Sequence, residues 1–452
     1  MGKITLAQAA AWCGGYVEEK YKDVAFLGAN MDSRKIQPGQ LFIALVGERD
    51  GHDYIPMALE KGAAAVLCQR PCGDIPAIIV EDSRLALGDI ARAERKRIGM
   101  QVVGVTGSVG KSTTKEMIAA VLASTYRVER TPANYNNDLG MPMAILAMPE
   151  DTQVAVLEMG MNHFREIAYL TSIAQPNVAV VINIGTMHIE YLGSKEGILK
   201  AKMEILEGMR DGADVILNGD DPLLWTQRNL SHMKLCFFGQ ENPQCGIRAS
   251  GLMEEPEYMR FLVETGNASF PVELNLEGRH FVSDALAAVG VGVAMGIEPA
   301  KIQESLSQFR SMAGRQEIFT AKGCTIIKDC YNAGPESMAA ALEVLGKREG
   351  RHVAILGDML ELGACTQAEH YRVGRIAAEK ADILLAFGPN GKRVLSGAVT
   401  GGMSESRAMA FEDRQKLITV LKRLVKPGDV LLFKGSRGMR MELILEGFLK
   451  DE

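Results

Sequence analysis

The stretch Gly104-Val-Thr-Gly-Ser-Val-Gly-Lys-Ser112 decides the fold of this chain. It follows the apolar run QVVGV, from Gln101, and it precedes a segment that places Met117, Ile118, Val121 and Leu122 on one helical face. Strand, glycine-rich turn and helix in that order indicate a P-loop of the GxxxxGK[ST] type. Glycines let successive backbone N–H groups curl around phosphate oxygens, and the helix dipole adds positive potential. Lys111 is expected to reach the terminal phosphates and the Ser112 hydroxyl to ligate Mg²⁺. The expected nucleotide contacts are therefore Gly107, Ser108, Val109, Gly110, Lys111, Ser112 and Thr113.

Outward from this loop the texture is that of buried strands alternating with helical patterns. VAVLE (Val154 to Glu158), NVAVVINIG (Asn177 to Gly185) and ADVILNGDDP (Ala213 to Pro222) are continuous apolar runs, the mark of a parallel sheet covered on both faces. Glu158 ends the first of these strands, where a carboxylate serves as a Walker-B-type metal ligand. His188 follows the second. Ser112, Glu158 and His188 are together expected to hold Mg²⁺ around phosphates, with water completing the shell.

A further section begins near Ser311 and repeats the texture in TIIKDC, HVAILGD, ADILLAFG and DVLLFKGS, the sequence of a doubly wound sheet. Before Gln101, a small α/β unit is expected. It has strand-like runs at Leu41 to Val46, Ala64 to Leu67 and Ala77 to Val80, a helix over Ile55 to Lys61, and a second helix from Leu85 that ends in the charged stretch RAERKRIG. The expected fold class is α/β in three domains, residues 1–98, 99–311 and 312–452, the central one built on a mostly parallel sheet.

A length of 452 residues suits two to four domains. The 50 Lys and Arg against 56 Asp and Glu leave a net charge of −6, which speaks against a nucleic-acid partner. Positive charge that meets an anionic ligand must then be local. The eight cysteines form no CxxC pair and suit a reducing cytoplasm. The longest weakly polar run, Ala285 to Ile297, is too short to span a bilayer, and MGKITLAQAAAWCGG has no apolar core of a signal peptide. A cytoplasmic monomer that is not an integral membrane protein is expected.

The motifs resemble those of the Mur ligases over essentially the full length. Asp32-Ser-Arg34, Gly39-Gln-Leu-Phe-Ile-Ala-Leu45 and Asp50-Gly-His52 look like the family's UDP-binding first domain. The P-loop has the family form TGSxGKST. Thr131-Pro-Ala-Asn-Tyr-Asn-Asn-Asp-Leu-Gly-Met-Pro142 is similar to the NxNNxxGxP segment of the branch that adds D-alanyl-D-alanine. Ala201-Lys-Met-Glu-Ile205 lies where the family carries a carbamylated lysine, which makes Lys202 the candidate. Gly314-Arg315 looks like the arginine that reaches the terminal phosphate, and Asp329-Cys-Tyr-Asn-Ala-Gly-Pro-Glu-Ser337 like the DxYNANPxS signature. Leu356 to Gly363, His370 and Lys434-Gly-Ser-Arg437 complete the set. Two departures stand out: Gly334 replaces an Asn, and His280-Phe-Val-Ser-Asp284 replaces HNxxN. Asp284 can accept from an adenine amino group but cannot donate to N7 as Asn does.

The resemblance implies ATP-dependent joining of D-Ala-D-Ala to UDP-MurNAc-tripeptide through an acyl phosphate, with a UDP-binding domain, a P-loop ATPase domain and a Rossmann-like domain. It implies Lys111, Lys202, His188 and Arg315 as catalytic, and Ser112, Glu158, His188 and a carbamylated Lys202 as ligands of two Mg²⁺ ions. Asp284 and Asn332 would meet the nucleotide, and Ser33, Arg34, Asn134 and Asn137 the UDP substrate. Rival expectations are the related ligase that adds the third amino acid, folylpolyglutamate synthase and, from another class, a P-loop switch protein; the NYNN segment separates the chain from the first two.

Overall fold

The computed structural model describes residues 2–255, 258–310 and 314–450, so the break expected between residues 311 and 312 lies outside the described residues. Among them the strands form four sheets. Ile4–Thr5 pairs antiparallel with Ala25–Phe26. Ala29–Asn30, Leu41–Ile43, Ala65–Cys68 and Ala77–Ile79 form a parallel four-stranded sheet. The strand expected over Leu41 to Val46 stops at Ile43, because Gly51 donates back to the Leu45 carbonyl and closes a turn there. The following helix begins at Ser83, two residues before the expected Leu85, because the Asp82 carboxylate caps it by accepting from the Arg84 and Leu85 amides.

The nine-stranded sheet runs Ser269–Leu274, Tyr258–Glu264, Ile247–Glu255, Lys234–Gly239, Asp214–Asn218, Val178–Val181, Gln101–Thr106, Val154–Glu158, Val128–Arg130. Its pairings are parallel except the two among the strands from Ile247 to Leu274. Gln101–Thr106 lies between Val154–Glu158 on one side and Val178–Val181 on the other. The chain leaves it for the far edge, returns beside it and then crosses to its other flank. Such a switch point opens a crevice beyond the carboxyl ends of the strands. Val105 is level with Glu158 and Thr106 with Val181, so the three loops leaving these strands converge.

Helix Lys111–Ala123 covers one face, with Met117, Ile118, Val121 and Leu122 fully buried against the sheet and helix His280–Ala294. The other face shares one continuous core with the first unit. Helix Ser83–Ile98 packs there so closely that a Cβ on Gly88 would lie 2.3 Å from the Tyr169 hydroxyl. The third unit's sheet has the order Glu317–Ala321, Cys324–Asp329, Val430–Lys434, His352–Gly357, Ile383–Phe387, Ala408–Phe411. It is parallel but for its first edge strand and carries a separate core on each face, which is the doubly wound arrangement.

Candidate active site

Five residues separate Gly104 from Gly110 where GxxxxGK[ST] has four, and Gly104 lies inside the strand Gln101–Thr106, so the expected pattern is not met and the loop is the shorter Gly107-Ser-Val-Gly-Lys-Ser112. Gly110 caps the helix with φ 86, a left-handed conformation in which a side chain would be strained. The loop is held from the neighbouring strand's exit. Asn183 Oδ1 accepts from the amides of Ser108 (3.0 Å) and Val109 (2.9 Å), its Nδ2 donates to the Val109 carbonyl (3.0 Å), and the Gly185 amide donates to Ser108 Oγ (2.9 Å). That leaves the first-turn amides of the helix, which have no intrahelical partner, for an anion. Lys111 Nζ folds back on the carbonyls of Gly107 (2.9 Å) and Ser108 (3.3 Å). Burial lowers its pKa, the Glu158 carboxylate counteracts that, and Arg315 lowers it further.

Three functional groups meet at the helix start. Ser112 Oγ donates to Glu158 Oε2 at 2.6 Å, and Arg315 Nη2 donates to Ser112 Oγ at 2.7 Å while its guanidinium lies 3.9 Å from the centre of the Tyr331 ring. Arg315 thus brings the third unit onto the P-loop. The other Glu158 oxygen accepts from Asn136 Nδ2 at 2.8 Å. Asn136 is absent from the residues expected from sequence, although it belongs to the NYNN segment. Its neighbours do different work: Asn137 Oδ1 accepts from Gly140 and starts helix Gly140–Leu146, and Asn134 is exposed with its carbonyl accepting from Asn136. The segment is anchored by fully buried Lys115, whose Nζ donates to the Thr131 carbonyl at 2.6 Å; the Thr131 hydroxyl in turn accepts from the Glu158 amide.

Lys202, on helix Lys195–Met203, is buried, and among the described residues none gives its amine a hydrogen bond or an ion pair. Burial, and then the Lys111 charge, push its pKa well below that of an ordinary lysine. His188 meets a carboxylate from the third unit, with Nδ1 2.6 Å from Glu361 Oε2. Nearby, Glu336 accepts from the Thr186 amide and hydroxyl at 3.1 Å, a second tie across the same junction.

Asp284 is buried behind the P-loop, accepts from Thr114 Oγ1 and faces Gly110; it is part of the loop's support. Asn332 is exposed on a third-unit loop whose carbonyls are held by Lys434 and Ser436. In the first unit, Ser33 is buried with its hydroxyl 3.3 Å from Met57 Sδ, and Arg34 pairs with Asp32.

The gathered donors fit a hard divalent cation, because Ser112 and Glu158 offer adjacent buried oxygens. Among the described residues no cluster of three or more His, Cys, Asp and Glu stands together, so such a cation would draw further ligands from phosphate and water. Among them, too, no helix is long and apolar enough to cross a membrane.

Comparison with known proteins accords with this geometry. Three family models match in order: "Mur ligase family, catalytic domain" over residues 25–95, "Mur ligase middle domain" over 105–292, and "Mur ligase, glutamate ligase domain" over 314–437. A UDP-N-acetylmuramoyl-tripeptide–D-alanyl-D-alanine ligase of Bacillus subtilis strain 168 is 37% identical over 447 residues, covering 97% of this chain and 96% of the relative. A crystal structure of MurF from Acinetobacter baumannii superposes with a TM-score of 0.92 at 31% identity, covering all of both chains. MurF from Thermotoga maritima, solved with ADP, gives a TM-score of 0.83 at 31% identity over 93% of this chain and 97% of that one.

Proposed function

The chain belongs to the Mur ligase family, and from that premise we propose that it joins D-alanyl-D-alanine to UDP-N-acetylmuramoyl-tripeptide, using ATP. As a Mur ligase it is an ATP-dependent, amide-forming enzyme. The observation that carries the choice of substrates is the match, over nearly the whole of both chains, to a ligase named for this reaction. The NYNN segment supports it, since Asn136 links that segment directly to Glu158.

The chemistry has two displacements. The terminal carboxylate of the tripeptide attacks the γ-phosphorus of ATP, and ADP leaves. The dipeptide amine then attacks the acyl carbon, its proton departs, and phosphate leaves as the amide forms. Both partners of the first step are anions, so neutralisation and alignment make up most of the catalysis. The P-loop amides and Lys111 hold the phosphates, and Arg315 adds charge where the transferred group passes. Ser112, Glu158 and His188 would hold Mg²⁺. The metal, when bound, would offset the charge of the phosphates. Lys202 as an ammonium would repel that cation; as a carbamate it would present two oxygens and a negative charge. Contacts between the third unit and the P-loop region, through Arg315 and Glu336, favour a closed site that keeps water from the acyl phosphate. Asp32-Ser33-Arg34 in the first unit, with Asn134 and Asn137, would face the UDP substrate.

The test is phosphate release in the presence of ATP and Mg²⁺. Turnover that requires both UDP-MurNAc-tripeptide and D-Ala-D-Ala supports the proposal. Hydrolysis indifferent to both, or turnover with UDP-MurNAc-dipeptide and a single amino acid instead, overturns it.

A further inference from the structure

The turn that follows strand His352–Gly357 buries Asp358, Met359 and Leu362, exposes Leu360 and Glu361, and is tied down by hydrogen bonds. The buried His370 accepts from the Met359 amide through Nε2 (3.0 Å), while its Nδ1 faces the Thr366 carbonyl (2.7 Å). Ser436 Oγ accepts from the Leu360 amide (2.9 Å) and donates to the Ala333 carbonyl (3.1 Å), and the Ser436 amide donates to the Asp358 carbonyl (3.0 Å). These bonds join three motifs of the third unit and fix the backbone immediately before Glu361. The turn then docks on the central unit, where a Cβ on Gly363 would lie 2.9 Å from that of Glu190.

Glu361 has φ 63, and His188, the residue it meets, has φ 64. Left-handed backbone is uncommon outside glycine and concentrates where surrounding structure imposes it at functional sites. Here two such residues, from different units, point at each other: Nδ1 of His188 lies 2.6 Å from the Glu361 carboxylate. The contact is out of line for a hydrogen bond, as catalytic contacts often are before substrate tightens them. Once aligned, a hydrogen bond at Nδ1 sets the tautomer and ring direction of a histidine and leaves Nε2 to bind. Carboxylate partners of this kind are what orient metal-binding histidines in general.

We propose that Glu361 is a positioning residue: by engaging Nδ1 it orients His188 toward the metal, so that docking of the third unit completes the metal site. The proposal rests on His188 being a metal ligand, as the proposed function has it. It makes metal affinity depend on a residue of another unit that touches neither metal nor substrate.

The test measures Mn²⁺ affinity by electron paramagnetic resonance, with a non-hydrolysable ATP analogue present, for the full-length protein, for Glu361→Ala, Glu361→Gln and His188→Ala, and for the double variant Glu361→Ala with His188→Ala. Thermal unfolding of each variant confirms that it is folded. Glu361→Ala is expected to weaken Mn²⁺ binding about 10-fold. Glu361→Gln, which can still accept from Nδ1–H, should lose less, and the double variant should bind no more weakly than His188→Ala alone. Unchanged Mn²⁺ affinity in Glu361→Ala while His188→Ala binds weakly overturns the proposal and leaves His188 as a ligand. Unchanged affinity in His188→Ala removes the ligand assignment, and the proposal with it.

Discussion

The Asp284 carboxylate accepts a 2.8 Å hydrogen bond from the Thr114 hydroxyl, tying helix His280–Ala294 to the helix that the P-loop opens. Burial raises its pKa from 3.8 to about 7, against the opposing pull of Thr114 and Arg315.

That shift predicts a pH dependence of stability. Below pH 4 the folded and unfolded chains both hold the proton. Between pH 4 and 7 the unfolded chain releases it while the folded chain keeps it, so rising pH favours unfolding until the folded group also ionises near 7. Asp284→Asn keeps an acceptor for Thr114 and removes the titration. Its stability relative to the parent should therefore rise from pH 4 to 7 and level off above, by at most about 4 kcal/mol over the whole window. Urea unfolding at several pH values measures it; a constant difference across the range refutes the shift.

Asn183 predicts a second effect. Its side chain satisfies two successive P-loop amides and one carbonyl, so Asn183→Ala strips the Val109 amide and carbonyl of this partner, while the Ser108 amide keeps the main-chain carbonyl of residue 183 at 3.2 Å. The loss is about 1–3 kcal/mol, which, carried into the transition state, lowers kcat/KM for ATP roughly 5- to 150-fold. Initial rates against ATP concentration test this. KM for the dipeptide should move little, because the change is confined to the phosphate loop.

Asn183 also marks the limit of what a local sequence pattern can show. The P-loop, its amphipathic helix and Glu158 were legible because each is a local pattern: a glycine turn after an apolar run, or a carboxylate ending one. The role of Asn183 depends on a strand order that brings it beside residues 74 and 75 positions earlier. Asn136 and Glu361 were hidden for the same reason. The antiparallel strands Ile247–Glu255, Tyr258–Glu264 and Ser269–Leu274 escape sequence patterning for a different reason. Met259, Phe261 and Val263, then Phe270, Val272 and Leu274, are buried at every second position. A strand covered on one face alternates and lacks the unbroken apolar run of the doubly covered ones.

Arg315 reaches from the third unit to Ser112 while stacking on Tyr331. A lysine keeps the charge but has neither the planar face nor the forked donors. Arg315→Lys should lower kcat about 100-fold, the scale of losing one preorganised donor to a developing charge, with KM for ATP changed only a few-fold. Equal losses in kcat and in ATP binding would mean that the residue grips the ground state instead.

Lys202 carries the last prediction. Its amine is buried without a hydrogen bond or an ion pair among the described residues, and burial together with the Lys111 charge favours the neutral form. A neutral amine has the lone pair that attacks CO₂: an N–C bond forms, one proton leaves, and an anionic carbamate remains. Lysine at its ordinary pKa would be almost wholly protonated at neutral pH and unable to do this. Enzyme depleted of CO₂ should therefore lose activity and regain it with bicarbonate, and protein equilibrated with ¹³C-labelled CO₂ should show one carbamate resonance that Lys202→Ala lacks. Lys202→Ala should fall at least about 100-fold in turnover, on the scale of other single electrostatic groups at a phosphoryl-transfer site. Acetate or formate should partly restore it by placing a carboxylate where the carbamate stood. Near-normal turnover in Lys202→Ala without added acid would dispose of the carbamate, because the site would then need no anion at that position.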